Sequence, residues 1–187
     1  MFNISQHFKH LDLAPGMVAA DLGCGVGATT LQLAKAFPQN IVCGVDIDRN
    51  ALDRLEANMN AEKEEVSKRV KILQADLEDE KTTPIPENTF DAAIVENLFH
   101  TLTHRKAFVW NLKMMLKDGA KVLVTDLHTS PLKTAQHQGM LVDQKDVERL
   151  FVEAGFLVYP IEDSRDAHSY TFLAKKPDGR RININHT

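Results

Sequence analysis

The sequence predicts an α/β chain, a three-layer sandwich in which a mostly parallel seven-stranded sheet lies between helices and ends in an antiparallel C-terminal hairpin strand. Three observations carry that expectation. Short apolar runs recur at Met17 to Leu22, Ile41 to Val45, Val70 to Ala75, Phe90 to Val95 and Lys121 to Thr125, each suited to a strand buried on both faces. Helical spacing separates them, and five strand-then-helix units imply parallel strands joined by crossovers. Phe156 to Ile161 and Ser169 to Lys175 have no helical segment between them, so they pair antiparallel through an Asp163 to His168 turn.

The elements follow in order. Phe2 to Leu13 forms a short amphipathic helix with Ile4, Phe8 and Leu11 on one face, ended by Pro15-Gly16; it caps a ligand pocket or covers the sheet edge. Ala28 to Phe37 is helical through Leu31, Leu33, Ala34 and Phe37, and Pro38 stops it. Ala51 to Asn60 turns Leu52, Leu55 and Met59 inward, and the charged run of Glu62, Lys63, Glu64, Glu65 and Lys68 extends it into solvent. Leu77 to Asn88 is polar, holds Pro84 and Pro86, and reads as loop. Arg105 to Lys117 is a helix with Phe108, Leu112, Met115 and Leu116 inward and Gly119 as its stop. A less regular stretch, Leu127 to Leu141, precedes a last helix from Gln144 to Ala154, stopped by Gly155.

At 187 residues and 43% apolar content the chain can bury one good core, so residues 1–187 read as a single domain with an N-terminal helix within 1–16 and a flexible tail at 177–187. A basic segment leading into an apolar stretch is missing at the N-terminus, and no apolar run approaches the ~20 residues that span a bilayer. The expectation is a cytoplasmic protein that does not enter membranes. Cys24 and Cys43 are too few for a disulfide framework and read as buried thiols on the first and second strands. The net charge of -4 speaks against a broad nucleic-acid surface, and the basic residues Lys175, Lys176, Arg180 and Arg181 read first as a solvated tail.

Between the first strand and the first helix lies Asp21-Leu22-Gly23-Cys24-Gly25-Val26-Gly27. Three alternate glycines give a tight turn and a close backbone approach to a ligand, and the helix that follows offers N–H groups at its start. Taken alone the pattern also fits a dinucleotide-binding turn, with Asp46 at the ~20-residue offset of a ribose acid. Asp21 argues against a pyrophosphate there, since a carboxylate beside the glycines repels phosphate and suits a cation.

In open sheets of this kind the ligand lies beyond the carboxyl ends of the strands, which here carry Asp21, Asp46, Asp76, Glu96 and Asp126. Such a row favours a ligand with hydroxyls, an exocyclic amine and positive charge. S-adenosylmethionine has all three.

From about Pro15 to Lys176 the chain resembles a small class I S-adenosylmethionine-dependent methyltransferase, with a Rossmann-like fold and product S-adenosylhomocysteine. The glycine-rich stretch is similar to the family's methionine-binding motif, which implies Asp21, Gly23, Cys24, Gly25 and Gly27 as cofactor contacts. Gly44-Val45-Asp46-Ile47 resembles its ribose motif, with Asp46 on the hydroxyls and Ile47 against adenine, and Ala75-Asp76-Leu77 its adenine motif, with Asp76 on the amine and the Leu77 N–H on a ring nitrogen. Glu96-Asn97-Leu98-Phe99-His100 matches the segment that borders the methyl group, while Leu116-Lys117-Asp118-Gly119 and Glu153-Ala154-Gly155-Phe156 resemble the usual junctions before the fifth and sixth strands. Nothing after the fourth strand resembles the Asp/Asn-Pro-Pro-aromatic motif of nucleic-acid base methyltransferases. A small-molecule acceptor is therefore expected, in a pocket that is open or completed by a homodimer or another partner.

Methyl transfer is an in-line displacement, for which a protein supplies proximity, alignment and a dry pocket. A base is needed only where the nucleophile carries a proton to lose. His100 and His128 are the candidates, with His104, His168 and Tyr170 near the same mouth. No metal is expected. A nicotinamide-dependent oxidoreductase or epimerase and a cofactor binder without turnover are the competing readings.

Overall fold

In a computed structural model the described residues are 4–79, 84–127, 142–161 and 169–179. Seven strands form one sheet in the order β3-β2-β1-β4-β5-β7-β6. They are β1 (Val18–Leu22), β2 (Ile41–Asp46), β3 (Val70–Gln74), β4 (Phe90–Glu96), β5 (Leu116–Leu127), β6 (Leu157–Pro160) and β7 (Ser169–Lys175). Strands β1 to β5 pair parallel, whereas β7 runs antiparallel to both β5 and β6. Helices α1 (Ala28–Ala36), α2 (Arg49–Asn60), α3 (Glu64–Ser67), α4 (Arg105–Met115) and α5 (Gln144–Glu153) supply the outer layers.

Alternation along the strands divides the core in two. Ala20, Val45, Ala93, Val95, Val122 and Val124 face α4 and α5 through Phe108, Leu112 and Phe151. Their neighbours Ala19, Val42, Ala92, Ile94 and Leu123 face Leu31, Leu33, Leu52 and Leu55 of α1 and α2. Because successive strand residues point to opposite faces, an apolar side chain at nearly every position is what a sheet covered on both sides requires.

Several expectations are corrected. The N-terminal segment is a 3-10 helix, Ile4–Leu11, rather than an α-helix; side chains three residues apart eclipse in that geometry, and Phe8 and Leu11 are buried together against the α1 side of the sheet. The charged run after α2 does not prolong it, since Lys63 is extended and a separate turn, α3, follows. The third strand is not followed by a helix among the described residues, which agrees with the loop reading of Leu77 to Asn88 and leaves β3 out of the repeated strand-then-helix pattern. Gly119 does not end α4. That helix stops at Met115, Leu116 is already extended, and Gly119, at φ +80, lies in an irregular start to β5 where the N–H donates to the Lys176 carbonyl at 3.1 Å. Cys24 lies beyond β1 in the glycine loop, and both thiols are free and half-buried. The Asp163 to His168 turn, the 128–141 stretch and Arg180 and Arg181 lie outside the described residues.

Candidate functional site

The sheet register brings the carboxyl ends of the central strands level, with Leu22 opposite both Val45 and Val95. Two cavities open there and adjoin at Gly23. One, of about 320 Å³, is walled by Asp21, Gly23, Cys24, Thr29, Glu96 and Asn97, with Ile4 of the N-terminal helix among its lining residues. The other, of about 260 Å³, is lined by Gly23, Asp46, Ile47, Asp76, Leu77 and Leu98 among others. Asp21 therefore lies on one side of Gly23 and Asp46 and Asp76 on the other, along one continuous crevice. Among the described residues neither lining holds a lysine, arginine or histidine, while Asp21, Asp46, Asp76, Glu78 and Glu96 are all present.

The glycine loop spends its N–H groups inward. Gly23 and Cys24 donate to the Val45 carbonyl at 2.8 and 3.0 Å, and Gly27 donates to the Cys24 carbonyl at 2.9 Å. Gly25 donates to Asp46 Oδ2 at 2.8 Å, and the other oxygen of Asp46 accepts from the Asp48 N–H at 2.9 Å. The loop thus aims Asp46 instead of presenting a nest of free donors, and phosphate would find acids where it needs N–H groups. Gly25 and Gly27 act through this backbone geometry and line neither cavity.

Gly27 is constrained twice. It caps α1 at φ +83, and a Cβ there would stand 2.0 Å from Leu55 Cδ1. Gly16 has nearly the same φ of +84 with nothing within 4 Å, so it isolates backbone strain from collision. Gly27→Ala is expected to lose about 2–4 kcal/mol in urea denaturation and Gly16→Ala about 1 kcal/mol, the difference being the displaced Leu55.

Consecutive threonines on the first turn of α1 address two acids from neighbouring strands. Thr30 Oγ1 donates to Asp21 Oδ2 at 2.6 Å, and Thr29 Oγ1 donates to Glu96. Asp21 is only 2% exposed. Desolvation pushes its carboxyl up to about 7, with the Thr30 bond opposing and the nearby Glu96 and Asp46 charges assisting. Burial raises Glu96 as well, against the Thr29 bond, and raises the Cys24 thiol far above its ordinary value. A cation placed beside these acids would satisfy charge that the apo site holds back by protonation.

On the other side of Gly23, Asp76 Oδ1 accepts from the Glu78 N–H at 2.9 Å, Asn111 of α4 donates to the Leu77 carbonyl at 3.1 Å, and Glu78 accepts from the His104 N–H. Three ties fix the Asp76-Leu77-Glu78 turn. Ile47 is 61% exposed, an apolar side chain laid open on the cavity wall. Thr29, Thr30, Glu78 and Asn111 were not singled out by the sequence. The paired threonines at a helix start without a side-chain cap are the one local signal for any of them.

The structure separates other candidates from the crevice. Asp126 is not on its rim; it is buried and bonded to His100, with His100 Nδ1 at 2.7 Å from Oδ1. His100 lines neither cavity but follows Asn97 and Leu98, which do. His128 and His168 lie outside the described residues.

Known proteins now bear on this geometry. Residues 20–122 match the family described as a methyltransferase domain, and the chain belongs to that family, within the class I S-adenosylmethionine-dependent methyltransferases. Over 164 residues it is 27% identical to a phosphoethanolamine N-methyltransferase of Triticum aestivum, a match covering 83% of this chain and 31% of the relative. The chain spans about a third of the length of the first curated relatives it matches. In structure it resembles an S-adenosylmethionine-dependent methyltransferase from Aquifex aeolicus, with a TM-score of 0.78, 20% identity, and 94% and 90% of the two chains covered. It resembles equally the [4+2]-cyclase SpnF, with a TM-score of 0.79, 16% identity, and 94% and 81% covered. The Rossmann-like sandwich with its mostly parallel seven-stranded sheet is thus the fold of this family.

Proposed function

We propose that the chain binds S-adenosylmethionine along the crevice and transfers its methyl group to a small-molecule acceptor, as a single domain working in the cytoplasm. The observation that carries this reading is the pair of cavities meeting at Gly23, whose linings contain, among the described residues, five carboxylates and no cationic side chain. In this reading Asp46 accepts from the ribose hydroxyls, with its second lone pairs free of the Gly25 and Asp48 bonds, and Ile47 covers one adenine face. Asp76 takes the adenine amine and the Leu77 N–H a ring nitrogen. Asp21 and Glu96 lie nearest the ammonium and sulfonium charges, and Gly23 lets the chain of the ligand pass between the cavities.

The donor supplies the electrophilic methyl carbon. The protein's part is to hold the adenosyl and methionine ends apart so that the methyl group points past Asn97 toward the acceptor, and to exclude water there. His100 stands next to that segment as the base for an acceptor that must lose a proton. The acceptor side is completed by a partner or by a second copy of the chain.

Among the described residues no helix is long and apolar enough to cross a membrane. Relatives that include phosphoethanolamine N-methyltransferases support a small acceptor.

Titration calorimetry with S-adenosylhomocysteine and with NAD tests the cofactor. Micromolar binding of the first and none of the second is expected; the reverse pattern would overturn the reading. A second reading has one observation behind it: a cyclase shares this fold, and a fold alone does not fix a reaction. A chain that binds S-adenosylhomocysteine yet yields no methylated product from a broad acceptor panel would be a cofactor binder without turnover.

A further inference from the structure

We infer that Asp126 locks the His100 ring with Nδ1 as donor and Nε2 as proton acceptor, and that the methyl acceptor is therefore an amine or alcohol whose nucleophilic atom carries a proton. The inference rests on the methyltransferase reading above.

The two residues are 26 apart in sequence and meet because β4 and β5 pair in parallel, with Glu96 opposite Thr125. The turn after β4 is tied down at several points. Asn97 donates its N–H to the Thr125 carbonyl at 2.9 Å, Thr101 donates to Leu98 at 2.9 Å, and Arg105 Nε donates to the Phe99 carbonyl at 2.7 Å. Asp126 itself is 1% exposed. Its Oδ1 accepts from the Leu127 N–H at 2.7 Å and lies 2.7 Å from His100 Nδ1, and Oδ2 accepts from the His100 N–H at 3.4 Å.

A carboxylate that already accepts from backbone N–H groups has only acceptor capacity to offer the ring, so Nδ1 is the donor. The lone pair of a neutral imidazole then sits on Nε2, at the edge of a side chain that keeps 17% of its surface exposed. Among the described residues nothing bonds Nε2. A turn that needed only capping would be served by the two backbone N–H contacts; the ring contact adds a fixed tautomer and a counter-charge for an imidazolium.

Position makes this relevant to transfer. Glu96, Asn97 and Leu98 line the crevice on both sides of Gly23, and His100 is the next side chain but one. As the nucleophile's nitrogen or oxygen bonds to the methyl carbon, the carbon–sulfur bond breaks and its electron pair leaves on sulfur as the neutral thioether. The nucleophile's proton passes to Nε2, and the imidazolium formed is held against the Asp126 carboxylate. A carboxylate or thioether nucleophile has no proton to give and needs no such pair.

Two ionisable groups near the pair among the described residues are Arg105 of α4, bonded to the Phe99 carbonyl beside His100, and Tyr170 of β7, which stands opposite Asp126 in the sheet. Burial first and the Asp126 charge second keep the Tyr170 phenol protonated, while Arg105 opposes and Asp143 and Glu148 add to the shift.

Nitrogen-15 spectroscopy of the histidine-labelled full chain reads the tautomer directly. His100 is expected as the Nδ1–H form, with an unprotonated Nε2; the common Nε2–H form in the wild-type chain would overturn the inference without any variant being made. In Asp126→Asn an amide N–H can donate to Nδ1, and the tautomer should reverse. Methylation of a panel of primary amines and alcohols should fall about 100-fold in that variant, partly recovering at higher pH, with the KM for S-adenosylmethionine unchanged. Product from neither panel, or only from carboxylates and thioethers, overturns the acceptor class. Binding of S-adenosylhomocysteine by the wild-type chain is measured separately, so a failure of the cofactor reading is distinguishable from a failure of the pair.

Discussion

Asp46→Ala is expected to weaken S-adenosylhomocysteine binding by about 2–4 kcal/mol, or roughly 30- to 1000-fold, while leaving the fold intact. Two effects combine. The ribose loses its charged acceptor, and the loop loses its aim, because the Gly25 and Asp48 N–H groups both end on this carboxylate, at 2.8 and 2.9 Å. Both donors lie near the surface, where water replaces the lost partner, so the midpoint of thermal unfolding should move by only a few degrees. Asp46→Asn separates the two contributions: an amide oxygen still accepts from one N–H group, but charge is gone and one position becomes a donor facing a donor. It should fall between wild type and alanine. Calorimetry on the three chains checks the order, and an alanine variant that binds as tightly as wild type would remove Asp46 from the site.

The part of this arrangement that is legible in the sequence is the part written in neighbouring residues. Ala19 and Ala20, Val42 to Val45 and Ala92 to Val95 are apolar because both faces of the sheet are covered, and such runs leave few alternatives to a buried strand. Asp21, Asp46 and Asp76 follow from the same logic, since a residue at the carboxyl end of a parallel strand is carried to the crevice side of the sheet by topology alone. What escaped depends on register and on side-chain reach. Nothing in the spacing of His100 and Asp126 shows that they touch; the parallel pairing of β4 and β5 decides it. Asp126 was read as one more rim acid, although its carboxylate is turned to the turn after β4. Asn111 looks like any polar residue of an amphipathic helix until Leu77 is found within its reach. Gly119 after a helical run resembles a C-terminal stop, yet α4 ends four residues earlier because Leu116 is needed opposite Phe90 in the sheet. Local rules lose to pairing at each of these positions.

A cationic ligand should release a proton on binding at neutral pH, and Asp21 is the source. In the ligand-free fold burial holds this carboxyl at about 7 against an ordinary value of 3.8. Between about pH 4 and 7 the folded chain therefore binds more protons than the unfolded chain, so stability falls as pH rises through that window and levels off above it. Three pKa units set a ceiling of about 4 kcal/mol on the change. Glu96, raised by burial, adds with the same sign; Asp12, held low by Lys121, has the opposite sign but lies at the surface and is worth little. The urea midpoint of the apo chain should accordingly be higher at pH 5 than at pH 7.5, and Asp21→Asn should flatten the difference. When the sulfonium and ammonium charges of S-adenosylmethionine arrive, the ionised form of Asp21 gains a partner and its carboxyl falls back toward the ordinary range. Affinity should then rise from pH 6 to pH 8, with up to one proton released per ligand, measured by calorimetry in buffers of different ionisation enthalpy. A pyrophosphate-bearing ligand in the same place would do the opposite, drawing a proton onto Asp21 and binding more weakly as pH rises. The sign of the proton count thus separates the two ligand classes on the same instrument, and binding of S-adenosylmethionine without proton release would place its positive charge away from Asp21.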